Sequence, residues 1–245
     1  HASLLLSYCA QGNLLDRVSA LRREALLLDA AELHDRVRLL MQQALLGLGH
    51  LHEHRVVHKD VKPHNLLLTA DGCVVLTDFE LSRVQAAPGD TVMASTIGRG
   101  SYTPGYAAPE VERNEGATSA SDVFSLGVTL YQLHHGRMPE QYAGAAWDGQ
   151  PLNHIPASGG PLDDLLRQML QPEPTHRPTA HECLLHAYFC SSEAVRAREA
   201  GELGSLGGER SIGRDALAHC GGDSARQSST LHCLWARVPL QLLKG

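Results

Sequence analysis

Three side chains of different chemistry fall close together in the run HKDVKPHN, residues 58–65: a carboxylate at Asp60, an ammonium at Lys62 and an amide at Asn65. A positioned carboxylate can take a proton from a hydroxyl, a compact ammonium suits a phosphate, and an amide oxygen is a hard metal ligand. A second carboxylate, Asp78, follows two short apolar runs, residues 66–69 and 73–76, joined by Ala70-Asp71-Gly72. That pattern predicts a hairpin, and a hairpin brings its two ends together, so Asn65 at the entrance and Asp78 at the exit become neighbours. Two such oxygens at one end of a ribbon make a site of the kind Mg2+ prefers. Asp60 remains as a base and Lys62 as a cation for phosphate.

The elements that must position these groups are legible around them. Asp29-Ala30-Ala31-Glu32 has the form of a capping box, and Leu33, Val37, Leu40, Met41, Ala44, Leu45, Leu48 and Leu51 then recur at three- and four-residue steps. This spacing predicts a long amphipathic helix over residues 30–54 that delivers the chain to the loop. Residues 3–9 read as a strand, followed by the turn signal Gln11-Gly12-Asn13. Residues 86–103 lack an apolar period and read as a long mobile loop. A second helix is capped by Ser119, buries Val123, Leu126, Leu130 and Leu133, and stops at Gly136. It carries so little polar surface that it reads as a buried central helix. Pro161 opens a third helix, and Thr179 with Glu182 caps a fourth that ends near Phe189. Residues 190–245, rich in Gly, Ser, Ala and Arg up to an apolar end, read as a flexible tail.

Composition limits the partners. With 43% apolar residues in 245, the chain is expected to fold. A formal net charge of −6 supplies no global attraction to nucleic acid or anionic membrane, so neither is an expected partner. No apolar run reaches the roughly 18–20 residues that span a bilayer. Six cysteines stand far apart with no C-x-x-C pair, which points to a reducing intracellular compartment, the cytoplasm. His219-Cys220 and His232-Cys233 match no familiar zinc spacing.

The ordered motifs resemble the eukaryotic protein kinase family. HKDVKPHN resembles its H-R-D-x-K-x-x-N loop, and Asp78-Phe79-Glu80 stands in the place of Asp-Phe-Gly. Ala108-Pro109-Glu110 matches A-P-E, Asp122 with the following SLG matches the opening of the family's central helix, and His176-Arg177-Pro178 matches its late H-R-P. The resemblance covers residues 1–189 and implies a mostly α, α+β kinase fold: a hinge and a helical C-terminal lobe with a small β-hairpin carrying the catalytic loop. It further implies ATP and Mg2+ as cofactors and Ser/Thr hydroxyls of proteins as substrates. In it Asp60 orients the hydroxyl and accepts its proton, Lys62 holds the γ-phosphate, and Asn65 and Asp78 bind Mg2+. Lys62 together with Thr103 resembles the Ser/Thr branch. Glu110 and Arg177 would form a buried ion pair, Asp122 would bond the backbone of the catalytic loop, and His58 would pack beneath it. Asn13, with Asp16, would reach the ATP ribose or cap a helix.

The pattern also departs from the family. No G-x-G-x-x-G pair or V-A-I-K lysine precedes the matched motifs, so the expectation is a fragment whose parent carries the small lobe and which alone transfers phosphate poorly. Lys59 replaces an arginine, keeping a cation but losing its bidentate fork; loop phosphorylation at Thr91, Ser95, Thr96 or Ser101 would be gripped less firmly. Glu80 replaces a glycine, which should restrict flipping of the Asp78 loop and add negative charge beside it. His64 offers no charge for an arginine-rich substrate. The competing reading is a pseudokinase or scaffold that uses the same fold to bind partners. A small-molecule kinase is disfavoured by residues 103–110, which look built to seat a peptide.

Overall fold

The computed structural model describes residues 9–24, 30–87, 89–92, 102–139, 155 and 159–189. The expected strand over residues 3–9, most of the expected loop over 86–103, the capping role of Asp29 and the expected tail lie largely or wholly outside them. Helix α1 spans Leu14–Glu24 and buries Leu14, Val18 and Leu21. Helix α2 spans Ala30–Glu53, one residue short of the expected end, with Val37, Met41, Ala44, Leu45, Leu48 and Leu51 all buried on one face. It stops where Arg55 turns left-handed, φ 61, and returns its N–H to the His52 carbonyl. Among the described residues no helix is long and apolar enough to cross a membrane.

Strand β1, Val56–Val57, pairs antiparallel with β4, Arg83–Val84; strands β2, Leu66–Leu68, and β3, Val74–Leu76, form the expected hairpin with Leu66 opposite Leu76. The hairpin lies on α2, and Gly47 permits the approach: a Cβ there would come 2.6 Å from Leu76 Cδ1. Gly12 and Gln11, just before α1, bond to both backbone groups of Leu68, so the start of α1 is stitched to the hairpin's other edge.

The short helix α3, Pro109–Glu112, precedes α4, Ser119–His135, whose residues from Ser121 to Tyr131 are all buried. The cap of α4 is Thr118 rather than Ser119: Thr118 is extended, Ser119 is already helical, and Ser121 Oγ accepts the Thr118 N–H at 3.0 Å. Gly136 ends it at φ 74. Helix α5, Pro161–Met169, packs Leu165, Leu166 and Met169 into the core. The expected cap holds at α6, where Thr179 and Glu182 bond reciprocally, but α6 spans only Ala180–Leu184. Turns continue to Phe189 because His186 is bonded to Asp164 of α5 at 3.0 Å and accepts the Tyr188 N–H, which draws the chain out of helix.

The expected ion pair closes the lower half. Arg177 grips both oxygens of Glu110, at 2.7 and 2.8 Å, and its guanidinium also donates to the carbonyls of Gln171, Ala120 and Pro172. Ser121 Oγ adds a bond to Glu110 Oε1, and the guanidinium lies 4.8 Å from the Phe124 ring centre. A buried charge pair with this many satisfied donors holds α3, α4 and the turn before α6 together, whereas a lone buried charge is costly. Arg177→Ala should destabilise the fold by about 3–5 kcal/mol, read as a lowered urea midpoint; an unchanged midpoint would contradict this packing.

Candidate active site

The loop between β1 and β2 takes a backbone course that the sequence does not favour by itself, since Lys59 is left-handed at φ 71. It is held from below by Asp122 in the first turn of α4. Asp122 Oδ2 accepts the His58 N–H and Oδ1 the Lys59 N–H, both at 2.8 Å, and His52 Nε2 reaches Oδ2 at 3.0 Å. His58 is fixed as expected beneath the loop: Nδ1 accepts the Asp60 N–H at 3.3 Å, Nε2 donates to the Thr77 carbonyl at 2.9 Å, and its ring lies 5.0 Å from that of Phe79. That pattern requires the proton on Nε2, so His58 serves as a spacer.

Above this support the predicted residues converge. Asp60, 8% exposed, receives Lys62 Nζ on Oδ2 at 2.7 Å, Asn65 Nδ2 on Oδ2 at 2.9 Å and Thr103 Oγ1 on Oδ1 at 2.6 Å. Lys62 also donates to Thr103 Oγ1 at 2.8 Å, and Asn65 to the Asp60 carbonyl at 2.8 Å. Burial alone would raise the Asp60 carboxyl, but the hydrogen bonds from Lys62 and Thr103, the Lys62 charge and the Asn65 bond together hold it below its ordinary value. Asp60 is therefore an ionised acceptor near neutral pH, already aligned by three donors.

Both Asn65 contacts are to oxygens that only accept, so its amide nitrogen faces Asp60 and Oδ1 is left as its acceptor. The hairpin brings Asp78 alongside, since the Thr77 N–H donates to the Asn65 carbonyl at 3.0 Å and Asp78, the next residue, is exposed at φ 64. An amide oxygen and an exposed carboxylate at adjoining strand ends are hard donors, and this pair fits Mg2+ with water or phosphate completing the shell. Asn13 stands elsewhere: Oδ1 accepts the Asp16 N–H at 3.0 Å and Nδ2 donates to Asp16 Oδ2 at 2.8 Å, a cap on α1.

Two participants escaped sequence reasoning. Thr103 was informative only as a family marker, yet it bonds both Asp60 and Lys62; His52 gave no signal at all, because its link to Asp122 spans 70 residues. Glu80 is exposed and is not among the left-handed residues, so its Cβ is compatible with the loop as it stands; the unusual backbone belongs to Asp78. Burial, then the nearby Arg83, lowers the Lys59 ammonium, while Asp122 opposes the shift.

A family model described as protein kinase domain matches residues 1–189. Mitogen-activated protein kinase kinase kinase 2 of Arabidopsis thaliana is 36% identical over 169 residues, covering 66% of this chain and 26% of that protein. Serine/threonine-protein kinase Nek6 of Oryza sativa subsp. japonica is 33% identical over 77% of this chain and 34% of its own length. Serine/threonine-protein kinase 17A of Oryctolagus cuniculus is 32% identical over 80% of this chain and 51% of its own. The chain thus spans about a quarter to a half of the length of these relatives. Thr103→Val should raise the Asp60 carboxyl, since a donor to the charged form is lost. Carbon-detected NMR titration of the Asp60 carboxyl reads this directly, and an unmoved curve would contradict the role given to Thr103. The stability that Asp60 contributes is full above about pH 4 and lost as pH falls through its lowered folded value.

Proposed function

The chain belongs to the protein kinase domain family, and from that premise we propose that it is the mostly helical, substrate-facing lobe of a serine/threonine kinase that uses ATP and Mg2+. The observation that carries this reading is the closed cluster of Asp60, Lys62, Thr103 and Asn65. A lone Asp-x-Lys pair on a loop is an ordinary surface feature; here the pair is part-buried and joined by a hydroxyl from residues 103–110, where the peptide would lie.

In this mechanism a substrate serine or threonine hydroxyl binds beside Asp60, whose carboxylate orients it and accepts its proton. The hydroxyl oxygen forms a bond to the γ-phosphorus of ATP as the bond from that phosphorus to the β,γ-bridging oxygen breaks, releasing ADP. Lys62 turns its ammonium to the transferring phosphoryl group, and Thr103 keeps Asp60 aligned as it does so. Mg2+ held by Asn65 Oδ1 and Asp78 would neutralise charge on the nucleotide phosphates. Positioning and neutralisation of this kind supply most of the rate when the transition state is loose. Asn13 adds a ribose contact in this reading, at the expense of its bond to Asp16. Lys59, with Arg83 nearby, keeps positive charge for a phosphorylated loop residue but without the bidentate fork of an arginine at position 59.

The scaffold reading draws on Glu80, which places a charge near Asp78. Drift toward a binding module gives no reason to keep Asp60, Lys62, Asn65 and Asp78 in mutual register, and the enzyme reading is preferred. The test is transfer of radiolabel from γ-labelled ATP to protein by the full-length product. Asp60→Ala should cut the rate by about 10²–10⁴-fold and chelation of Mg2+ should abolish it. Equal transfer by Asp60→Ala would sink the assignment.

A further inference from the structure

A second cluster of titratable groups lies away from the loop, where α1, α2 and the C-terminal end of α4 meet. The ring of His34 on α2 stacks on His134 of α4 with centres 4.0 Å apart; His134 meets His135 at 5.0 Å, and His135 meets Tyr131 at 4.3 Å. Arg22 of α1 reaches into the same corner and donates to the carbonyls of Leu133 and His134, the last turn of α4. His134 Nδ1 is buried with no hydrogen-bond partner. Among the described residues no group of three or more His, Cys, Asp or Glu side chains is arranged to hold a metal ion.

The charges around the stack are mostly positive. Arg22 faces it from α1 and His34 from α2, while His135 and Arg137 adjoin it at the end of α4; among the described residues the acid that acts on it is Asp163 of α5, through His135. A proton placed on His134 therefore gains no described anion, lacks an acceptor at Nδ1 and is opposed by the Arg22 guanidinium of α1 and by the His34 and His135 rings. Helix α1 also packs on β2 and on the 3₁₀ turn Pro63–Asn65, and the Leu68 N–H donates to the Gly12 carbonyl at 2.8 Å. Helix α1 thus links the end of α4 to the edge of the hairpin that carries Asn65 and Asp78.

We propose that His134, stacked between His34 and His135 and beside Arg22 of α1, is a proton-operated latch: neutral, it lets Arg22 keep α1 against the end of α4, and protonated, it repels Arg22, releases α1 and slackens the Gly12–Leu68 seam. The latch does not depend on phosphoryl transfer being the chain's activity. Burial, followed by the charges of His34, His135 and Arg22, pushes the His134 imidazole down to about 4. An opened corner returns it to an ordinary value near 6.5. The open form then takes up a proton that the closed form refuses, so the closed corner is fully favoured above about pH 6.5 and loses its advantage as pH falls toward 4. At about pH 5 this single group shifts the opening equilibrium about 30-fold.

Amide hydrogen exchange of the full-length protein tests the latch, with rates corrected for intrinsic pH dependence. Protection across residues 14–24 should fall about 30-fold between about pH 7.5 and about pH 5, while residues 123–131 inside α4 keep theirs. His134→Phe retains a ring without a titrating nitrogen and should flatten the response. Should that variant fail to fold, His34→Gln removes the stacked imidazole that opposes a proton on His134 and should shrink it. Protection in α1 that ignores pH, an equal loss in His134→Phe, or a parallel loss inside α4 would each overturn the latch.

Discussion

A single buried carboxylate holds the reactive loop in shape. Asp122 is 1% exposed, yet three N–H donors from His52, His58 and Lys59 converge on its two oxygens. Hydrogen bonds to a charged group contribute about 1.5–3 kcal/mol each, enough to offset a left-handed Lys59, a conformation that costs about 1–3 kcal/mol. Its place in the first turn of α4 also sets the negative charge at the favourable end of the helix dipole. Remove that carboxylate and two backbone N–H groups lose their partner in the interior.

The remaining geometry follows from that fixed loop. With His58 seated, its ring spaces the loop from Phe79 and its Nε2 ties the end of β3. Asp60, two residues on, is then met by Lys62, Asn65 and Thr103. The lower half is fastened separately by Glu110 and Arg177, and the two anchors meet in α4, since Ser121 bonds Glu110 and its neighbour Asp122 bonds the loop. Helix α4 is buried along most of its length, and both fastenings sit in its first turn.

Much of this was legible in the sequence, for reasons that differ by element. Helix α2 and helix α4 announce themselves through apolar periods several turns long, and the hairpin through Ala70-Asp71-Gly72 between two apolar runs. Helix α1 shows in the sequence only as a possible cap at Asn13 with Asp16, because just Leu14, Val18 and Leu21 mark its inner face. The cap of α4 fell one residue early, at Thr118, because two adjacent hydroxyl residues can each cap and only the backbone decides between them. Asp60, Lys62, Asn65 and Asp78 stood out by residue type and spacing. Thr103 and His52 act across long sequence separations, and the left-handed turn at Lys59 is held by its bond to Asp122, so no local pattern discloses them.

Amide exchange at His58 and Lys59 in Asp122→Asn probes the anchor most directly. The amide presents one accepting oxygen where the carboxylate presents two, so at least one of the two N–H groups must lose its partner. Protection at His58 or Lys59 should collapse while that of the α4 interior persists. Unchanged protection at both residues would show that the loop holds its shape without Asp122.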